Sequence, residues 1–219
     1  MADFASCSTD VLTQDTSTLF TGLRDNPDLL ADLADYHIEL DDEVATGLAL
    51  IQALRDAIGT QVVESGQSEK ATETARTLLA ALRTLYVRHR KLARALHKRG
   101  TAGYTALGLA GDIPRDTDGL LGDIDAFYTA LHQDPTLYDG IRGISKTTVD
   151  DALARVDAAR TAESTQARES GESQDATQTR QTAEASLRAL AQDVAVAVED
   201  AYHDQPQRRE RLGLFQRGS

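Results

Sequence analysis

The sequence is poor in the residues that build disulfide-linked, aromatic-rich or membrane-spanning proteins. Its 219 residues include one cysteine, four prolines and no tryptophan, and only 5% are aromatic. A single cysteine excludes the internal disulfide framework of small secreted domains. No apolar run approaches the roughly 18 residues that a membrane span needs. The first residues show no basic and apolar leader pattern, which favours a cytoplasmic protein.

The charge balance is strongly acidic. The chain carries 35 acidic and 23 basic side chains, for a net charge of −12. This balance argues against nucleic acid or an anionic membrane as a partner. Aspartate outnumbers glutamate, and arginine outnumbers lysine. Two explanations stay open. In a cytoplasm adapted to high salt, screening reduces the repulsion within a strongly negative chain. A GC-rich genome would instead explain the preference for arginine over lysine.

An internal repeat is the most informative feature of the chain. Residues 64–74 read ESGQSEKATET and residues 169–179 read ESGESQDATQT, which agree at seven of eleven positions. The same offset of 105 residues aligns further pairs, among them Leu107-Gly108-Leu109 with Leu212-Gly213-Leu214 and Arg55 with Arg160. We therefore interpret the chain as two copies of one unit.

Each copy is predicted to contain a short helix followed by two long ones. The short helices fall near residues 17–24 and 118–132, and each precedes an Asn-Pro or Asp-Pro pair that suits a helix start. The long helices are predicted over residues 40–63, 68–98, 146–169 and 173–203. The Ser-Gly-x-Ser segments between them are predicted to turn, because glycine suits a helix C-cap and serine an N-cap.

These elements predict an all-α fold, an antiparallel four-helix bundle made of two tandem helical-hairpin repeats with short capping helices at one end. We expect a flexible tail over residues 1–17, a first repeat over 18–111 and a second over 112–219, with the repeats packed as one domain. Residues 157–186 contain no apolar side chain larger than alanine. This hairpin tip is therefore expected either to pack closely or to be mobile, and we favour mobility.

A heptad of apolar residues places His89 at a core position. One interpretation is a ligand-binding site or pH-dependent switch between the hairpins, with Tyr86, Tyr36 and His37 as neighbours. The simpler interpretation, which we favour, is a buried neutral histidine hydrogen-bonded to one of them.

Catalytic and metal-binding motifs are weak. The chain has no Glu-x-x-His pair, phosphate-binding glycine loop or nucleophile elbow. Asp200-x-x-His203 is the nearest approximation to a metal pair, and its first-copy counterpart lacks ligands. Glu184 aligns with Leu79, but a helix surface explains it. We predict no catalytic residue, no metal and no cofactor.

Residues 83–99 carry seven cationic side chains and no acidic one. The candidate partner-binding patch consists of Arg88, Arg90, Lys91, Arg94, Lys98 and Arg99. This patch either binds an acidic partner or pairs internally with the acidic run at residues 28–43, and we favour internal pairing.

These patterns favour a non-catalytic structural or protein-interaction module, with a second copy or another protein as its partner. The alternatives are a metal- or small-ligand-binding bundle with its site near His89, and an adaptor that binds an acidic partner through residues 88–99.

Overall fold

The computed structural model describes residue 4 and residues 6–33 and 40–214. The all-α prediction is confirmed, since these residues contain helices and no strand. The elements in chain order are α1 (Thr9–Asp25), α2 (Pro27–Leu33), α3 (Leu40–Leu96), α4 (Ala102–Ala106), α5 (Thr117–Gln133), a 3-10 helix (Pro135–Tyr138), α6 (Lys146–Ala201) and α7 (Pro206–Arg211).

Side-chain caps define the starts of α1 and α5, which are both 17 residues long. Ser8 Oγ accepts from a backbone amide three residues later at 3.4 Å, and Asp116 Oδ1 does the same at 2.7 Å. Such caps satisfy amides that a helix start leaves free. Residues 9–17 are therefore helical and Phe4 is buried, so the expected loose tail over 1–17 does not hold for them.

Both long helices pass through the Ser-Gly-x-Ser segments without a turn. α3 and α6 are continuous over 57 and 56 residues. The predicted helical hairpins are therefore wrong, and the four-helix bundle assembled from them is not confirmed. Neither Gly66 nor Gly171 has a positive φ, and a Cβ at either would meet nothing within 4 Å. A glycine inside a helix costs only about 1 kcal/mol relative to alanine, which a long packed helix tolerates.

Residues 1–65 and 172–219 form one compact unit, here called unit 1. In it α1 and α2 pack with the first part of α3 and the last part of α6 around a shared apolar core. Gln61 Nε2 donates to Thr177 Oγ1 at 3.2 Å, which joins the two long helices. The hydroxyl of Tyr202 donates to the carbonyl oxygen of Leu29 at 2.9 Å, which joins α2 to the segment after α6.

Residues 66–171 form the other compact unit, unit 2. In it α5 packs with the last part of α3 and the first part of α6 around a second core. His97 Nε2 donates to the carbonyl oxygen of Leu137 at 2.7 Å. Because His97 follows α3 and Leu137 precedes α6, the two long helices run antiparallel in this unit.

The two units do not coincide with the two predicted repeats. Unit 1 takes α1, α2 and the start of α3 from the first repeat, and the end of α6 and α7 from the second. Unit 2 contains the end of α3 and α4 from the first repeat, and α5 and the start of α6 from the second. The short helices, predicted to lie together at one end, are divided between the units in the same way.

The two Leu-Gly-Leu segments close the cores. The leucines of residues 107–109 are buried in unit 2, and those of residues 212–214 are buried in unit 1. Gly108 and Gly213 have φ values of 56° and 75°. This left-handed backbone favours glycine, and it turns both flanking leucines inward.

Replacing the mid-helix glycines tests the continuous helices. Gly66→Ala and Gly171→Ala are each expected to raise the free energy of unfolding by about 0.5–1 kcal/mol, because alanine suits a helix interior better. A C-cap glycine in a turn would lose stability on the same change. Urea unfolding followed by circular dichroism measures the difference. Gly47→Ala is the control, since its Cβ would lie 2.6 Å from the Phe20 ring and should destabilise the protein.

Candidate functional site

His89, the leading candidate in the sequence, lies inside unit 2. Its side chain is 3% exposed, and its Nδ1 lies 3.0 Å from the hydroxyl oxygen of Tyr128. The two rings meet edge to face with centroids 5.9 Å apart. Burial, followed by the positive charge of Arg88, lowers the pKa of His89 below its usual 6.5. The ring is therefore neutral at pH 7, as a buried and hydrogen-bonded histidine should be.

Of the three predicted neighbours of this histidine, the structure describes Tyr86. Tyr36 and His37 lie outside the described residues. Tyr86 is buried and meets Phe127 edge to face, with centroids 5.4 Å apart. Tyr128 is not among the predicted neighbours, although the three- and four-residue apolar spacing of α5 points it into the core. A ligand site at this histidine stays a prediction.

Two members of the predicted basic patch are bound to backbone carbonyls in unit 2. Arg90 is only 3% exposed and donates from Nη2 to the carbonyl oxygen of Ala110 at 2.8 Å. Arg94 donates from Nε and Nη2 to the carbonyl oxygen of Leu109 at 3.0 and 2.6 Å. Its Nη2 also donates to Gly111 at 2.7 Å. These two guanidinium groups hold the segment after α4 against α3.

The other four members of the patch, Arg88, Lys91, Lys98 and Arg99, are exposed. Two members of the acidic run at residues 28–43 contact arginines of unit 1. Asp32 accepts from Arg208, and Asp28 lies 3.7 Å from Arg211. Pairing of the basic patch with the rest of the acidic run stays a prediction, as does binding of an acidic partner by the four exposed cations.

A carboxylate on α6 holds the N-terminal segment in unit 1. Glu184 accepts from Arg180 at 2.9 Å, from Arg188 at 2.7 Å and from the Thr9 hydroxyl at 3.0 Å. The bond from Arg188 is the main cause that lowers the pKa of Glu184. Arg188 also donates to the carbonyl oxygen of Cys7 at 2.7 Å. This cluster is therefore engaged in internal packing.

An open groove of about 570 Å³ lies between α3 and α6 in unit 2. It is lined by Gln67, Lys70, Ala71, Thr74 and Leu78 of α3 and by Ala158, Thr161, Ala162, Thr165 and Glu169 of α6. Glu169 is 8% exposed, and its Oε1 accepts from Arg168 at 2.5 Å. Its Oε2 is buried and has no hydrogen-bond partner among the described residues. The groove thus contains a buried acceptor that lacks a donor.

A second groove, of about 610 Å³, lies between α1 and α3 in unit 1. Its lining consists of Asp10, Thr13, Gln14, Ser17, Thr18, Thr21, Arg55 and Ile58. All of these except Ile58 are polar. Arg55 is exposed, and it makes no hydrogen bond or ion pair with the rest of the described chain.

Comparison with family models, with curated proteins and with solved structures finds no match to this chain. Within the ranges that the structure describes, no helix is long and apolar enough to cross a membrane.

The arginine contacts predict a specific loss of stability. Arg94→Met keeps the aliphatic length but removes the donors to the Leu109 and Gly111 carbonyls, so the free energy of unfolding should fall by about 1.5–3 kcal/mol. Urea unfolding measures this fall. Lys91→Met on the same helix is the matched control and should stay within about 0.5 kcal/mol of the parent. Equal effects of the two substitutions would contradict the assigned role.

The lowered pKa of His89 predicts a pH dependence of stability. The unfolded chain takes up the imidazole proton near pH 6.5, whereas the folded protein resists it. This contribution is therefore complete above pH 6.5 and is lost as the pH falls towards the folded-state pKa, by up to about 1.4 kcal/mol per pH unit.

Urea unfolding of His89→Gln between pH 7 and pH 5 checks this dependence. The substitution should flatten the fall in stability over that interval. His203→Gln, at an exposed position, is the control and should keep the slope of the parent. A parent slope in the His89 variant would show that this ring does not carry the effect.

Proposed function

We propose that this chain is a non-catalytic helical interaction module whose partner is a second copy of itself. The proposal rests on the groove between α3 and α6 of unit 2 and its unpartnered carboxylate oxygen. The contact is a two-fold dimer in which the groove faces of two copies meet. The five lining residues of each helix share one spacing pattern, i, i+3, i+4, i+7 and i+11, which defines a single helix face.

The groove lining suits helix-to-helix packing. Ala71, Ala158 and Ala162 keep the side chains short, so that a facing helix can approach closely, and Leu78 supplies an apolar side chain to fill the opposing space. Leu85 and Leu92 follow Leu78 at intervals of seven residues, so they share its face, and all three are half-buried. A facing helix pair would remove these side chains from water.

The groove is also self-complementary in charge. Lys70 and Glu169 lie at the same end of the groove, because α3 and α6 are antiparallel in unit 2. A two-fold axis parallel to the helices places α3 of one copy on α6 of the other, so that Lys70 lies opposite Glu169 of the second copy. A turn of the Glu169 side chain would then bring Oε2, the acceptor that lacks a partner, to the ammonium at two symmetric positions.

A second pair of charges extends this match. Arg88 lies two heptads beyond Thr74, and Asp151 lies one heptad before Ala158, so both belong to the groove face. Both are exposed. In the same two-fold arrangement Arg88 comes to the level of Asp151 in the second copy. One member of the predicted basic patch thereby gains a role in the proposed dimer.

The available area is adequate for a dimer. From Gln67 to Leu92 the face is about 37 Å long at 1.5 Å per residue, and two helices of about 10 Å diameter make it about 20 Å wide. The resulting area of about 700 Å² per copy approaches the roughly 800 Å² per partner of a standard interface.

We also propose that the two halves arose by duplication. α1 and α5 have equal lengths, and their capping residues Ser8 and Asp116 lie 108 residues apart, three more than the offset of the later part of the repeat. The bond from His97 to the Leu137 carbonyl in unit 2 corresponds to the bond from Tyr202 to the Leu29 carbonyl in unit 1. Under this proposal, each unit forms by packing of elements from both copies of the repeat within one chain.

Charge reversal tests the dimer. The parent protein should sediment as a dimer at micromolar concentration. Lys70→Glu should weaken the dimer at least tenfold, because two carboxylates then face each other at both symmetric positions. Glu169→Lys should act similarly, whereas the double variant Lys70→Glu/Glu169→Lys should restore the dimer. Sedimentation equilibrium at several salt concentrations measures each constant.

Lys98→Glu is the matched control, since this exposed lysine follows the end of α3 and lies off the groove face. It should leave the dimer unchanged. A parent chain that stays monomeric at millimolar concentration would overturn the proposal. A double variant that remains as weak as the single ones would exclude the proposed register.

A further inference from the structure

The position in unit 2 that corresponds to the groove between α1 and α3 of unit 1 holds an ion pair. There Arg160 Nη2 donates to Asp125 Oδ2 at 2.8 Å, which joins α6 to α5. Arg160 aligns with Arg55 at the offset of 105 residues. α1 and α5 begin 108 residues apart and have equal lengths, so Asp125 aligns with Ser17. Unit 1 thus keeps the arginine and replaces its carboxylate partner by a serine.

This replacement leaves an unneutralised guanidinium beside an open space. Arg55 and Ser17 both line the groove of about 610 Å³. The neighbouring Asp56 accepts from Gln52 at 2.9 Å. In unit 2 the equivalent position is occupied by an oxyanion that belongs to the chain itself.

The rest of the lining supplies hydrogen-bond donors. The Thr13 and Thr18 hydroxyls donate to carbonyl oxygens of their own helix, at 2.8 and 3.1 Å. Ser17, Thr21 and the amide of Gln14 make no such bond in the described part of the chain, so their donors face the groove unused. Hydroxyl and amide donors around an arginine are the groups that bind a carboxylate or a phosphate.

Asp10 limits what the groove accepts. It lines the same groove seven residues before Ser17, which is about 10 Å along the helix. An extended polyanion would meet this carboxylate, whereas a small oxyanion beside Arg55 would not. We propose that unit 1 binds a small oxyanion, the carboxylate or phosphate group of a polar metabolite, between Arg55 and Ser17.

The test compares inorganic phosphate and acetate as probes on the full-length chain. Because the site is open to water, we expect a Kd of about 1–10 mM, seen as a saturable shift of the backbone amide NMR signals of Thr18 and Thr21, which line the groove and are unchanged in every variant. The two probes distinguish a phosphate preference from a carboxylate preference. Arg55→Gln should abolish the saturable response, whereas Arg160→Gln, its counterpart in unit 2, should leave it unchanged.

Exchanging the residues at the aligned positions Ser17 and Asp125 tests the inference most directly. Ser17→Asp should fill the site with an internal carboxylate and weaken binding at least tenfold. Asp125→Ser should open a second site in unit 2 and double the number of bound probe ions. If neither probe shifts the Thr18 and Thr21 amide signals, or if Ser17→Asp leaves binding unchanged, the inference fails. The dimer face lies in unit 2, so failure of the dimer would leave this result unaffected.

Discussion

Apolar packing between α3 and α6 is the interaction on which the rest of each unit depends. Each unit lays a 17-residue helix and a Leu-Gly-Leu segment over this helix pair, and each segment buries two leucines. Burial of a leucine side chain contributes about 1.5–3 kcal/mol, so these segments supply a substantial part of each core. Polar side chains then hold neighbouring segments against this packed helix pair. Arg90 and Arg94 bind the carbonyls of residues 108–111, and those bonds hold the Leu-Gly-Leu segment of unit 2 in place.

Much of the helical content follows directly from the sequence. The predicted starts of the long helices at residues 40 and 146 agree with the structure, and the predicted ends differ by two residues. These positions are marked by strong local signals, since the apolar periodicity begins and ends there. The turns predicted at residues 65–68 and 170–173 depend on the same kind of local signal, and that prediction is wrong. A glycine flanked by serines favours a turn only slightly, whereas a continuous helix keeps every backbone hydrogen bond on both sides of it.

The candidate site was predictable in position but not in partners. The heptad placed His89 inside the core, and it is buried there. Its partner Tyr128 lies 39 residues away on a different helix, and sequence spacing within one helix carries no information about such a pair. The burial of Arg90 was also missed, because a charge on a helix face is normally solvated. Its bonds to carbonyl oxygens exist only once the Leu-Gly-Leu segment has folded back onto α3.

Aligned positions at which the two halves differ account for the distinct surfaces of the two units. Ser17 stands where Asp125 closes an ion pair in unit 2, so unit 1 keeps an open groove beside Arg55. Arg94 binds loop carbonyls, whereas its counterpart Glu199 carries the opposite charge. Under the proposed duplication, the two copies of the repeat have kept their buried apolar positions and now differ at single polar residues around them. The units should therefore differ in what they bind, because packing constrains the buried leucines while the polar positions around them remain free to change.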